Sequence, residues 1–239
     1  MAADAPSAAH FYGTACGGLA CRLLREQLHL VWPDLAGQSV LGLGFTAPYL
    51  RAWRGQAARC IAAGPAHVGH VGRARWPADG ANAACTVDDA ALPFPDLSFD
   101  RVLLIHGLET AENARAMLRE VWRVLKDDGK LLVVVPNRVS VWAHVESTPF
   151  GHGQPYSRGQ IDKLLAANLF RAERREFALY LPPTQIRLVL RTARLWERTG
   201  RFLTEGFGGV TVTEAVKDAY AAVPLRPVVQ RRLVLSKAA

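Results

Sequence analysis

The stretch DDAALPFPDLSFDRVLLIHGLE, Asp88–Glu109, decides how this chain is read. Its first half is turn chemistry: paired acids, Pro93 and Pro95, then Asp96, Leu97 and Ser98. FDRVLLIHG, 99–107, follows as a strand whose run Val102–Ile105 is apolar without alternation, as in a strand covered on both faces. Next, ENARAMLREVWRVLKDDG, 112–129, has helical spacing, with Ala116, Leu118, Val121, Val124 and Leu125 toward a core and Gly129 past its end. KLLVVVPN, 130–137, is another apolar strand.

The same alternation extends in both directions. TACGGLACRLLREQLHLV, 14–31, predicts a helix burying Leu23, Leu24, Leu28 and Val31 and ending before Pro33. QSVLGLGF, 38–45, and ARCIAAG, 58–64, are short strands, separated by a helix over 48–56 that opens on Pro48. ACTVDD, 84–89, is a third strand, and residues 65–85 between them have no assignable pattern. Downstream, Ser157 caps a helix over 157–168, 170–182 is a late strand, 184–202 a long helix and 208–217 a last strand. Parallel strands need crossover helices, so the chain is a doubly wound α/β fold on a mainly parallel sheet. We read one domain over 1–239, with a core at about 38–217, the N-terminal helix 14–31 and a C-terminal tail 218–239.

Composition narrows the setting. The chain has 239 residues, 50% hydrophobic and 21% charged, enough for one domain with a full core. No apolar run approaches the ~20 residues that span a bilayer. The first residues lack the basic-then-apolar order of a secretion signal. Cys16, Cys21, Cys60 and Cys85 form no CxxC pair and no metal-ligand spacing, so they are read as reduced thiols of a cytoplasmic protein with no metal site. The net charge of +8 is concentrated late: thirteen Lys/Arg against six Asp/Glu from Arg171 onward, sixteen against fifteen before it. That basic third is either a docking surface for a protein partner or a solvated arginine-rich face. Arg187, Arg191, Arg194 and Arg198 share one helical face, where they meet an acidic partner or anionic lipid, or are solvated with local pairing from Glu197. Aromatic residues do not alternate with the arginines, so nucleic acid is not expected.

One ordered series carries a family likeness: Asp89 and Ala90, Leu92-Pro93-Phe94, Asp100 opening a strand, Arg123-Val124-Leu125 closing a helix, Gly129, and the apolar strand Leu131–Val135. Over roughly residues 38–137 this resembles the class I S-adenosylmethionine-dependent methyltransferases of small-molecule type, and implies their seven-strand, Rossmann-like sheet. The resemblance also implies a cofactor site. Its first loop, VLGLGFTAPYL (Val40–Leu50), brings Gly42, Gly44, Phe45 and Thr46 to the methionyl end. Gly42 stands where an acid is common, and Thr46 and Pro48 where further glycines are common. Ala63 and Gly64 fall at the ribose, where the family usually places a carboxylate accepting from both hydroxyls; no acid lies within four residues. Asp89 and the Ala90 amide would read adenine and Leu92 or Phe94 would cover its ring; the other reading makes Asp88 and Asp89 ordinary turn acids.

His106 ends a strand at the edge where open α/β sheets form their crevice. It is a candidate general base, or else a histidine packed over the pocket. Residues 136–160, PNRVSVWAHVESTPFGHGQPYSRGQ, combine polar, aromatic and hinge-like residues as a substrate lid would. Asn137, Arg138, His144 and His152 are candidate acceptor contacts there, and Tyr156 a second catalytic candidate. The expected function is methyl transfer from S-adenosylmethionine to a small molecule. The competing expectation is a protein that keeps the fold without turnover and acts as a binding or regulatory partner of another protein.

Overall fold

The computed structural model describes residues 8–65, 75–204 and 206–218. The predicted tail therefore lies outside the described residues from 219 onward, as does 66–74 of the unassigned stretch. Seven strands form one sheet: β1 (Ser39–Gly44), β2 (Arg59–Pro65), β3 (Ala84–Val87), β4 (Phe99–Ile105), β5 (Leu125–Pro136), β6 (Phe170–Ala178) and β7 (Val210–Lys217). Their spatial order is β3-β2-β1-β4-β5-β7-β6. The first five run parallel, and β7 is antiparallel to both β5 and β6. Chain order reverses direction between β1 and β4, so the crevice of this sheet lies beyond Gly44 and Ile105.

The helices are α1 (Ala8–Gly13), α2 (Ala15–Val31), α3 (Ala47–Leu50), α4 (Ala114–Val124), α5 (Arg158–Ala166), α6 (Arg187–Arg191) and α7 (Ala193–Leu203). Successive strand residues point to opposite faces, so the unbroken apolar runs fill two cores at once. Val40, Leu103, Ile105, Leu132 and Val134 pack with α1, α2 and α3. Leu41, Leu43, Val102, Leu104, Leu131 and Val133 pack with α4 and α5. Each such leucine, fully buried, contributes about 1.5–3 kcal/mol. Thr14 caps α2, and Ser157 with Gln160 forms a full capping box on α5.

The residues of the family-like series have structural duties. Arg123 of α4 donates to the carbonyls of Leu92 and Phe94, both at 2.8 Å, and to the carboxylates of Asp96 and Glu120, both at 2.7 Å. Glu120 in turn accepts from the Leu92 N–H at 2.8 Å. The Leu-Pro-Phe turn is thus clamped to the helix that follows it. Asp100 accepts from the Ser39 N–H at 2.8 Å and from Lys126 at 2.7 Å, pinning the start of β1 to β4. Burial alone would raise its carboxyl pKa; Lys126 and the Ser39 N–H outweigh that and hold it below the ordinary value.

Three helices are shorter than their sequence pattern. α4 stops at Val124 because Leu125 turns extended and pairs with Phe99, leaving the Asp127-Asp128-Gly129 turn inside the strand β5. The helix predicted over 48–56 keeps only one turn, and irregular turns carry Trp53 inward to donate from its indole to the Trp32 carbonyl at 2.8 Å. The long helix predicted over 184–202 breaks at Thr192, whose hydroxyl bonds back to the Val189 carbonyl at 3.0 Å. Glu197 does not pair with the arginine stripe; it is buried and serves the backbone, as described below.

Candidate active site

At the reversal point Gly44 has φ +93, which favours glycine, and a β-carbon there would run into the Ile105 carbonyl oxygen. That carbonyl accepts the Phe45 N–H at 2.8 Å, so the loop is stitched to the end of β4. Gly42 and Thr46 share one volume: a β-carbon on Gly42 would strike the Thr46 side chain. The side-chain volumes at positions 42 and 46 are therefore coupled. Thr46 Oγ1 is buried with no hydrogen-bond partner.

His106, immediately after β4, is 3% exposed and holds φ +52, in the left-handed region uncommon for residues with a side chain. Its Nδ1 lies 3.0 Å from Glu109 Oε1 and its Nε2 lies 2.8 Å from the Tyr12 hydroxyl. Tyr49 donates its own hydroxyl to Tyr12 at 2.8 Å. With that donation fixed, the Tyr12 proton points to Nε2, and Nδ1–H faces Glu109. Burial pushes the phenols of Tyr12 and Tyr49 well above their ordinary pKa, so both stay protonated donors. Glu109 is itself buried, and its Oε2 has no hydrogen-bond partner.

Aromatic rings wall this chain of hydrogen bonds. Tyr12 stacks on Phe45 at 5.1 Å with the planes 7° apart, and Phe150 lies 4.8 Å from the His106 ring. Trp142 packs edge-on to Phe150 at 5.3 Å and donates its indole N–H to the Leu181 carbonyl at 2.7 Å. The segment after β5 is folded down onto the same spot. Gly153, at φ +75, sits so close to the Glu109 carbonyl that a side chain would collide with it. Gln154 donates to that carbonyl at 2.8 Å.

The other candidates lie as follows. Tyr156 is buried on the opposite side of the sheet edge and donates to the Leu108 carbonyl at 3.4 Å; burial, then the charge of Glu109, raises its pKa. Asn137 is buried and donates to the carbonyls of Gly206 and Gly208 at 2.8 and 2.9 Å, tying β5 to the turn before β7. Arg138 and His144 are exposed, and His152 Nε2 lies 2.6 Å from the Glu146 carbonyl. Ala63 and Gly64 are buried at the end of β2. The Ala90 N–H donates to Asp88 Oδ1 at 2.9 Å, an Asx turn beside Asp89, and Leu92 is buried. No group of three or more potential metal ligands occurs among the described residues.

Sequence reasoning passed over Tyr12, Tyr49 and Glu109. Glu109 left a trace, three residues after His106 and just past a strand end. The tyrosines left none, because Tyr12 meets His106 across 94 residues.

Sheet order, crevice and glycine turn define an open α/β protein of the kind that binds nucleoside cofactors at its reversal point. Comparison with known proteins narrows this. Residues 41–133 match the methyltransferase domain family. The ubiquinone/menaquinone biosynthesis C-methyltransferase UbiE of Bordetella avium is 35% identical over 132 residues, 49% of this chain and 52% of that protein. The chain thus spans about half the length of that curated relative. A chain of the complex between the Haloferax volcanii methyltransferase activator Trm112 and its methyltransferase superposes with TM-score 0.60 at 17% identity, covering 90% of this chain and 99% of that one. An S-adenosylmethionine-dependent methyltransferase from Archaeoglobus fulgidus gives TM-score 0.60 at 16% identity, covering 82% and 94%. Residues 41–133 thus resemble a methyltransferase domain, and the sheet as a whole has the fold of S-adenosylmethionine-dependent methyltransferases.

The residues fit that cofactor unevenly. At the turn that would take a methionyl group, Gly44 keeps its left-handed conformation, and Thr46 Oγ1 and Glu109 Oε2 are buried polar atoms lacking hydrogen-bond partners. At the end of β2, where a ribose would lie, Gly64 has no side chain to accept from its hydroxyls. A lost charge-assisted bond typically costs ~1.5–3 kcal/mol, so the affinity expected is lower than with the acid present.

Proposed function

We propose that the chain transfers the methyl group of S-adenosylmethionine to a small, flat acceptor bearing an acidic hydroxyl. The observation that carries this reading is the buried His106–Glu109 pair at the reversal point of the sheet, under aromatic walls. When bound, the cofactor supplies a methyl group on a sulfonium sulfur, already electrophilic. Gly42, Gly44, Phe45 and Thr46 would hold its methionyl end, Ala63 and Gly64 would line the ribose, and Asp89, Ala90 and Leu92 would face the adenine.

The protein's own part is to position the acceptor and receive one proton. Nδ1–H of His106 is held by Glu109, so Nε2 presents the lone pair. The acceptor hydroxyl takes the place of Tyr12 at Nε2 and gives its proton there, and the Glu109 carboxylate stabilises the imidazolium that forms. Tyr12 does not itself carry the proton, because its raised pKa makes the phenolate costly. Phe150 and Trp142 exclude water from the pair, and Gly153 lets the lid close on Glu109. Tyr156, Asn137, Arg138, His144 and His152 shape the lid from which the acceptor enters.

Titration calorimetry with S-adenosylmethionine and its demethylated product tests the reading. Micromolar binding is expected; no heat up to millimolar ligand would overturn it in favour of a fold kept for binding another protein.

A further inference from the structure

Helix α7 is built inside out. Its buried side carries Ala193, Glu197 and Gly200, with Glu197 accepting from the N–H groups of Tyr180 and Leu181 at 2.7 and 3.3 Å. Gly200 packs so closely on Tyr180 that a side chain there would collide with it. The bulky apolar residues face solvent instead: Leu195 is 61% exposed and Phe202 87%, and α6 adds Leu188 at 73%. Single exposed apolar residues are ordinary, but a row along two consecutive helices marks a contact surface. Arg187, Arg191, Arg194 and Arg198 are exposed along the same helices.

We propose that the α6–α7 face docks on an anionic lipid bilayer, with Leu188, Leu195 and Phe202 entering the acyl boundary and the four arginines meeting lipid phosphates. Charge selects this occupant. A second copy would set one arginine stripe against another. Residues 219–239 carry four cations and no acid, so charge speaks against the chain's own tail as the cover. An acidic protein would have to offer a groove for a convex ridge, whereas a bilayer receives a ridge of any shape. Trp196, also exposed, is suited to the headgroup level. The docking stands apart from the methyl-transfer reading, but placement links them. A cavity of about 360 Å³ lined by Phe11, Thr184 and Gln185 opens just before α6, beside the ring that packs on Trp142 and Phe150.

Flotation of the full chain with phosphatidylcholine vesicles, with and without phosphatidylglycerol, tests the proposal. Recovery with the anionic vesicles alone is expected. Leu195→Ser with Phe202→Ser should lower partitioning about tenfold or more, as should Arg194→Gln with Arg198→Gln. Vesicles should also blue-shift the tryptophan emission, and Trp196→Phe should remove the shift. All these side chains are exposed, and circular dichroism verifies that the variants stay folded. Three outcomes overturn the proposal: no flotation, flotation unchanged by the Leu195/Phe202 pair (plain basic adsorption), or binding to polyglutamate without binding to vesicles (an acidic-protein surface).

Discussion

The two flanks of the crevice are built by opposite means. On the α4 side, the turn Leu92–Asp96 is held by Arg123 and Glu120 of the helix that follows it, about thirty residues away. On the α1 side, Tyr12, Phe45, Tyr49, His106, Glu109 and Phe150 come from five separate segments, and their hydrogen bonds span up to 94 residues. The first flank is a scaffold made by one turn and the helix that follows it. The second is a chemical chamber made almost wholly by tertiary contact. One fold thereby keeps a constant frame on one side and specifies its chemistry on the other.

If that division is right, the largest effect comes from the chamber. His106→Ala should lower methyl transfer about 10²–10⁴-fold, measured per folded molecule. Tyr12→Phe keeps the stack on Phe45 and should keep most of the rate; an equal loss in both variants would show that the proton passes through Tyr12.

Arg123→Leu attacks the frame. Stranding the Leu92 and Phe94 carbonyls and Glu120 should cost about 2–3 kcal/mol in denaturant unfolding, with the surviving folded fraction still turning over. A rate loss as deep as that of His106→Ala at unchanged stability would erase the distinction between the flanks.

The shared volume of Gly42 and Thr46 predicts a coupled pair. Gly42→Asp alone should destabilise, and Thr46→Gly in the same chain should recover about 1 kcal/mol or more, read as the interaction energy of a double-mutant cycle. Additive effects would mean the loop relaxes freely.

The smallest effect is at Asp100, whose carboxyl is held below its ordinary pKa. Its stabilisation is present above the ordinary carboxylate range and is lost as pH falls through the folded-state value. Asp100→Asn should therefore cost about 1 kcal/mol near pH 7 in unfolding experiments, with the gap closing in acid. A gap independent of pH would mean that the Ser39 hydrogen bond matters and the Lys126 charge does not.

Element type was legible wherever a segment's own neighbours decide it. The apolar runs at Val102–Ile105 and Leu131–Val135 and the cap at Ser157 are all local signals. Boundaries failed where a distant partner competed with local pattern. Leu125 left the helix to pair with Phe99, and Trp53 left it to reach Trp32. In the candidate site, His106 was readable from its place at a strand end. Its partners were not, because hydrogen-bond partners across the fold leave no periodicity.

By itself, the sequence determined the alternation of strands and helices and the loop that begins at Gly44, since periodicity and turn chemistry act over a few residues. Tertiary structure alone decided that Thr46 fills the space above Gly42, that Tyr12 and Glu109 bracket His106, and that Phe202 faces solvent while Glu197 faces in. Each of those depends on where separate elements pack, and packing is fixed by the whole core at once.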